Sequence, residues 1–193
     1  MDDLAHLNPP AALAAILDRT TALAFSMPSE PRTGAMLRVL AATKPGGRLL
    51  ELGTGTGLST AWLLDGMDRD ARLITVDIDP GSQAVARGIL GDDPRLEIVT
   101  EDAAVFLRGQ AVASFDLIFA DAMPGKYELL DAALVLLRPG GIYVVDDLLP
   151  QANWPEGHAG KVPQLLVDLA ERPGLRIVEL AWSSGLLVAA RAY

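Results

Sequence analysis

The chain has 193 residues, 50% hydrophobic and 21% charged, which suits one domain with a sizeable core and excludes a disordered or fibrous protein. Its net charge of −9 disfavours a nucleic-acid partner, because an acidic surface repels phosphate backbones. Cysteine is absent, which excludes disulfides and thiolate metal sites. The first residues, Met1-Asp2-Asp3-Leu4, are acidic where a secretory leader is basic, and the apolar runs are too short for a membrane span, so a cytoplasmic location is expected.

Two helices are predicted first. Leu13, Ile16, Leu17, Thr20 and Ala24 recur at helical spacing between Pro10 and Phe25. After a loop over 26–30, Pro31 opens a second helix with Met36, Leu37, Leu40 and Ala41 on one face, stopped by Lys44-Pro45-Gly46-Gly47. From residue 48 strands and helices alternate. Strands are predicted at 48–52, 73–78, 96–100, 115–120 and 142–145, with helices at 58–64, 82–90, 103–108 and 127–137. Arg138-Pro139-Gly140-Gly141 reads as the turn that ends the last of these helices. The stretch 148–161 reads as an irregular loop, followed by a helix at 162–171 and strands at 176–180 and 186–190. The alternation implies a doubly wound α/β fold with a mostly parallel seven-stranded sheet. Only Ala181 to Gly185 joins the last two strands, too short for a parallel crossover, so the last strand is expected to be antiparallel. The expectation is one domain over 1–193, with N-terminal helices in 1–44 and a Rossmann-like core in 45–193.

The first strand runs directly into Gly53-Thr54-Gly55-Thr56-Gly57, and about twenty residues on the second ends at Asp77-Ile78-Asp79. Glycines let the backbone turn tightly beside a ligand, the next helix offers free N–H groups, and a carboxylate at the second strand end can take both ribose hydroxyls. A ligand-free strand–helix turn would use similar glycines, but loop, spacing and acid agree with the sheet order. Nicotinamide folds favour G-x-G-x-x-G, whereas here the spacing is G-x-G-x-G after Glu51.

The run Glu51 to Gly57 resembles motif I of class I S-adenosylmethionine-dependent methyltransferases. Thr75-Val76-Asp77-Ile78-Asp79-Pro80, Phe115 to Asp121 and Leu137-Arg138-Pro139-Gly140-Gly141 resemble three later motifs of that class, in order. Glu30-Pro31-Arg32-Thr33-Gly34 is similar to the N-terminal helix of the catechol O-methyltransferase-like, small-molecule family. The resemblance covers the chain from about Met27 onward. It implies S-adenosyl-L-methionine as cofactor, with contacts from Met27, Glu51, Gly53, Thr54, Gly55, Gly57, Ser59, Asp77, Ile78, Asp102, Ala103 and Asp121. Ser59 would meet the methionine carboxylate, Asp77 the ribose and Asp102-Ala103 the adenine, with Met123 covering the ring. Met27 and Met123 also read as plain core packing. The implied acceptor is a small phenolic or catechol-like molecule, and relatives of this type are often homodimers. A metal-independent methyltransferase, a nicotinamide-dependent oxidoreductase and a non-catalytic nucleotide-binding module on the same fold stand as alternatives.

In that family an acid after the fourth strand and an Asp-Asn pair after the fifth hold Mg²⁺. The matching positions are Asp121, Asp146 and Asp147, with Asp where the family has Asn. The same carboxylates also suit a metal-free site, with Asp121 facing the methionine end of the cofactor. The family's general-base lysine position is Pro124 here, and Lys126 lies two residues on, either as a substitute base or as a solvated lysine. In the loop, Trp154 could stack on a flat acceptor, and His158 reads either as a general base or as a surface histidine. Asp121, Lys126 and His158 are the catalytic candidates.

Overall fold

The structure is a computed structural model and describes residues 5–192; the acidic run Met1 to Leu4 lies outside the described residues. Helices α1 (Leu13–Ala22) and α2 (Pro31–Ala42) come first. The elements β1 (Arg48–Leu52), α3 (Leu58–Gly66), β2 (Arg72–Asp77), α4 (Pro80–Leu90), β3 (Leu96–Thr100), α5 (Ala103–Gly109) and β4 (Phe115–Ala120) follow. The chain continues with α6 (Leu130–Val135), β5 (Leu137–Val145), α7 (Val162–Ala170), β6 (Leu175–Leu180) and β7 (Leu186–Arg191). A short 3₁₀ turn spans His158–Gly160.

The seven strands form one sheet in the order β3-β2-β1-β4-β5-β7-β6. The first five are mutually parallel, while β7 runs antiparallel to both β5 and β6. The short β6–β7 connection, read from sequence as a hairpin, thus slots β7 between β5 and β6.

Strand periodicity distributes the core. In β1, Leu50 and Leu52 point to the face covered by α5, α6 and α7, while Leu49 points to the face covered by α1 to α4. Each of these leucines is fully buried, so truncation to alanine would cost about 2–5 kcal/mol. On the second face α2 lies along α3, where Gly34 meets the buried ring of Trp62.

Two of the boundaries that differ from the sequence reading have an identifiable cause. Helix α6 starts at Leu130 rather than residue 127, because Leu129 takes a left-handed conformation (φ 55°) and the N–H groups of Lys126, Tyr127 and Glu128 turn back onto the Met123 carbonyl. The Arg138 to Gly141 run is also not a free turn, since β5 begins at Leu137. Leu137 pairs with Phe115 and Ile142 with Leu117, so β5 advances five residues where β4 advances two. Pro139, which has no N–H to donate, and Gly140 at φ 75° sit in this bulge.

Candidate active site

The site lies beyond the carboxyl ends of β1, β2, β4 and β5, where the strand order reverses. After Leu52 the chain turns through Gly53 at φ 102° and Gly57 at φ 94°. A Cβ on Gly53 would stand 3.1 Å from the Asp121 carbonyl oxygen, and one on Gly57 would stand 2.8 Å from the Ala86 Cβ. Glycine is therefore required both by backbone conformation and by the close approach of β4 and α4. The loop is tied to β2 by the Asp77 carboxylate, whose Oδ2 accepts from the Gly55 N–H at 2.8 Å and whose Oδ1 accepts from the Asp79 N–H at 3.0 Å. Asp79 in turn caps α4, accepting from the N–H groups of Gly81 and Ser82.

Beneath the loop runs a buried polar chain. Gln83 donates to Thr54 at 2.9 Å, Thr54 and Thr75 hydroxyls meet at 2.7 Å, and Thr75 donates to Glu51 Oε2 at 2.6 Å. Thr60 donates to the same oxygen. Because the Thr75 proton goes to Glu51, Thr54 must be the donor in the middle link. Glu51 is fully buried and its Oε1 has no partner. Burial, only partly offset by the hydroxyls of Ser59, Thr60 and Thr75, pushes the Glu51 carboxyl up to about 7.

A cleft of about 460 Å³ opens above the loop. Of the residues singled out in the sequence, Met27, Gly53, Thr54, Gly55, Ser59, Asp77, Ile78, Asp121, Met123, Lys126, Asp147, Trp154 and His158 line it. Met27 and Ile78 are 58% and 69% exposed, apolar surface of the kind a nucleoside would cover. Glu51, Gly57, Asp102, Ala103 and Asp146 are not among its lining residues. Glu51 lies under the loop, Gly57 stands at the start of α3, and Asp102 caps α5 by accepting from the Ala104 N–H at 2.8 Å. Sequence reasoning did not single out Phe25, Ser29, Tyr127 or Asn153, which also line the cleft. The aromatic character of Tyr127 directly after Lys126 was the one available signal.

A second chamber of about 360 Å³ adjoins the cleft, sharing Met27, Ser29, Asp121, Asp147 and Asn153 with it and adding Glu30, Asp146 and Ser184. Burial, reinforced by Asp146, holds the Asp121 carboxyl well above its usual range, with Lys126 pulling the other way. Burial also raises Asp146 to about 6, against the hydrogen bond from Ser184 and that from the Asp147 N–H at 2.7 Å. Asp121, Asp146 and Asp147 all line this chamber. Among the described residues no group of three or more His, Cys, Asp or Glu is arranged as an ion site, and Asp146 Oδ1 accepts from Ser184 and the Asp147 N–H.

Part of the cleft wall is aromatic. The His158 ring lies 4.5 Å from Trp154 and 5.1 Å, edge to face, from Tyr127, and the Tyr127 hydroxyl is 3.1 Å from His158 Nε2. Asn153 Nδ2 donates to the Ser26 carbonyl at 2.8 Å, drawing the 148–161 loop to the segment before α2. No helix among the described residues is long and apolar enough to cross a membrane.

An open crevice at a sheet's switch point, gripped by a glycine loop and an acidic strand end, defines a nucleotide-binding doubly wound protein. A family described as a methyltransferase domain matches residues 50–148 of the 193. A protein of Mycolicibacterium vanbaalenii bearing the name "Putative O-methyltransferase" is 31% identical over 195 residues, covering 96% of this chain and 86% of its own. Among solved structures, a cofactor-bound protein from MTB superposes with a TM-score of 0.84 at 29% identity, over 98% of this chain and 93% of that one. The O-methyltransferase of tomaymycin synthesis from Streptomyces achromogenes, crystallised with S-adenosylmethionine, gives a TM-score of 0.83 over 99% and 94% of the two chains. Its identity of 24% carries the fold alone. The chain belongs to the methyltransferase-domain family, as a class I S-adenosylmethionine-dependent O-methyltransferase of the catechol O-methyltransferase-like type.

Proposed function

We propose that this protein transfers a methyl group from S-adenosylmethionine to the hydroxyl of a small, flat, phenolic or catechol-like acceptor. One observation carries the reading: the open cleft runs from the Gly55–Asp77 clasp at one end to the Tyr127–Trp154–His158 wall at the other. When bound, the cofactor supplies a methyl group activated by a positively charged sulfur. Gly53 and Gly55 bring backbone close to it, Asp77 accepts from the ribose hydroxyls, and Met27 and Ile78 cover apolar surface. Ser59 and Asp121 face the methionine end.

On the acceptor side Trp154 stacks on the ring, and the acids around Asp121 leave room for its polar edge. The displacement spreads charge rather than concentrating it, so the protein's main contributions are alignment and exclusion of water. Asp102 and Ala103, at the carboxyl end of β3, are the adenine contacts in this reading.

The test is calorimetric titration with S-adenosylhomocysteine and with NADH, followed by turnover on a panel of phenols. Binding of NADH alone would sink the reading. Retained S-adenosylhomocysteine binding without turnover on any phenol or amine would leave a non-catalytic binding module. Turnover in EDTA tests the place of a metal ion: full turnover would leave Asp121, Asp146 and Asp147 to cofactor or acceptor contacts. Chelator inhibition reversed by Mg²⁺ would return Asp121, Asp146 and Asp147 to a metal-holding role.

A further inference from the structure

We propose that Tyr127 and His158 form the proton exit of the reaction, taking the proton from the acceptor hydroxyl as it is methylated. This rests on the phenolic-acceptor reading above and assigns the base that reading lacks. Both residues line the cofactor cleft, and the pair is formed across 31 residues, between the turn before α6 and the loop after β5. His158 is fixed from two sides, by the Tyr127 hydroxyl at 3.1 Å and by the Trp154 ring. The indole N–H of Trp154 is buried on the same wall without a hydrogen-bond partner, a donor available to an acceptor oxygen.

Charge places the proton correctly. Burial first, then Lys126 and Lys161, hold the imidazole below its usual range against Asp147, so His158 is neutral near pH 7 and able to receive a proton. Burial, Asp147 and Asp121 push the Tyr127 hydroxyl up to about 12, so it passes a proton without ionising. Lys126 lies over the Tyr127 ring at 5.0 Å and offsets the negative charge of Asp121 and Asp146.

The step balances. The acceptor O–H bond breaks and its proton goes to Tyr127 Oη, while Tyr127 gives its own proton to His158 Nε2. An oxygen lone pair forms the new bond to the methyl carbon, and the electrons of the old carbon–sulfur bond stay on sulfur. His158, now an imidazolium with its neutral-state proton on Nδ1, loses the extra proton to water. The loop that carries His158 is also tied to the segment before α2 by Asn153 on the Ser26 carbonyl, which helps hold the base over the cleft.

The experiment compares two acceptors of the same size, an unactivated phenol and a nitrophenol that ionises near neutrality. His158→Gln keeps polarity and bulk but accepts no proton. At pH 7 it should lower kcat by about 100-fold on the phenol and by less than about 3-fold on the nitrophenol, which needs no base. The acid limb of the kcat/KM profile on the phenol should disappear, and S-adenosylhomocysteine affinity should be unchanged. Tyr127→Phe should show the same dependence on acceptor acidity, and it carries the comparison if His158→Gln does not fold. Equal losses on both acceptors, or no loss on either, overturn the relay while leaving methyl transfer intact. A wild-type protein that binds S-adenosylhomocysteine but methylates neither phenol overturns the function and the relay together.

Discussion

Asp77 connects the loop geometry to ligand affinity. Its carboxylate fixes the Gly55 N–H and faces the cleft, so it shapes the site and, in the proposed reading, offers charge to sugar hydroxyls. Hydrogen bonds to charged groups contribute about 1.5–3 kcal/mol each, so Asp77→Asn should weaken S-adenosylhomocysteine binding roughly 30- to 100-fold with the fold intact. Unchanged affinity by calorimetry would remove Asp77 from the ribose role. Glu51 acts on stability instead. Its carboxyl titrates at about 7 in the folded chain against an ordinary 4.5. Between those values the folded protein keeps a proton that the unfolded chain has released. The protonated, buried acid is therefore tolerated best below the ordinary value, and stability falls as pH rises toward neutrality, by about 3 kcal/mol from this group. Glu51→Gln stays neutral throughout, so the stability difference between wild type and variant should shift in the variant's favour by that amount between pH 4.5 and 8. Parallel urea-denaturation profiles across that range would refute it.

The packing of α2 on α3 is decided by one small residue. A Cβ on Gly34 would stand 2.1 Å from Trp62 Cδ1, and the ring is buried beneath the Arg38 guanidinium, 4.9 Å from its centroid. Alanine improves helix propensity by about 1 kcal/mol, but overpacking of this severity costs about 3 or more. Gly34→Ala should therefore destabilise by about 2 kcal/mol, lowering the urea midpoint at constant slope; a midpoint that rises would show that the helices separate freely. The strands and the glycine loop were readable because their signals are local: a short apolar run, glycines, then an acid after the next strand. The start of α6 and the bulge in β5 were not, because the left-handed Leu129 and the Phe115–Leu137 pairing are set by tertiary contacts rather than by residue type.

Across the full chain, the two sides of the site differ in how they are assembled. In the proposed reading most of the cofactor side comes from consecutive elements, β1 to α4, with Met27, Asp102, Ala103 and Asp121 added from outside them, and most of its residues could be named from sequence. The acceptor side joins distant segments. Asn153 reaches Ser26, Ser183 donates to Glu30 and hydrogen-bonds with Thr33, and Ser184 donates to Asp146. Such pairings leave no periodic trace, which is why Tyr127 and Asn153 escaped notice and Trp154 and His158 could be named only with their structural alternatives. Asn153→Ala should free the loop, raising hydrogen exchange over 149–160 and increasing acceptor KM about 5-fold, in line with the loss of about 1 kcal/mol from one hydrogen bond, with cofactor affinity little changed. Exchange as slow as in wild type would show that Trp154 and His158 hold the loop unaided.

The Ser183–Glu30 contact bridges 153 positions, so the β6–β7 hairpin braces a segment synthesised long before it. Maturation of this protein therefore has a built-in sequence. A nascent chain can shape the glycine-loop end of the cleft from β1 to α4, while the adjoining chamber of Glu30, Asp146 and Ser184 is walled in only when the β6–β7 hairpin docks, which makes that chamber a late product of folding.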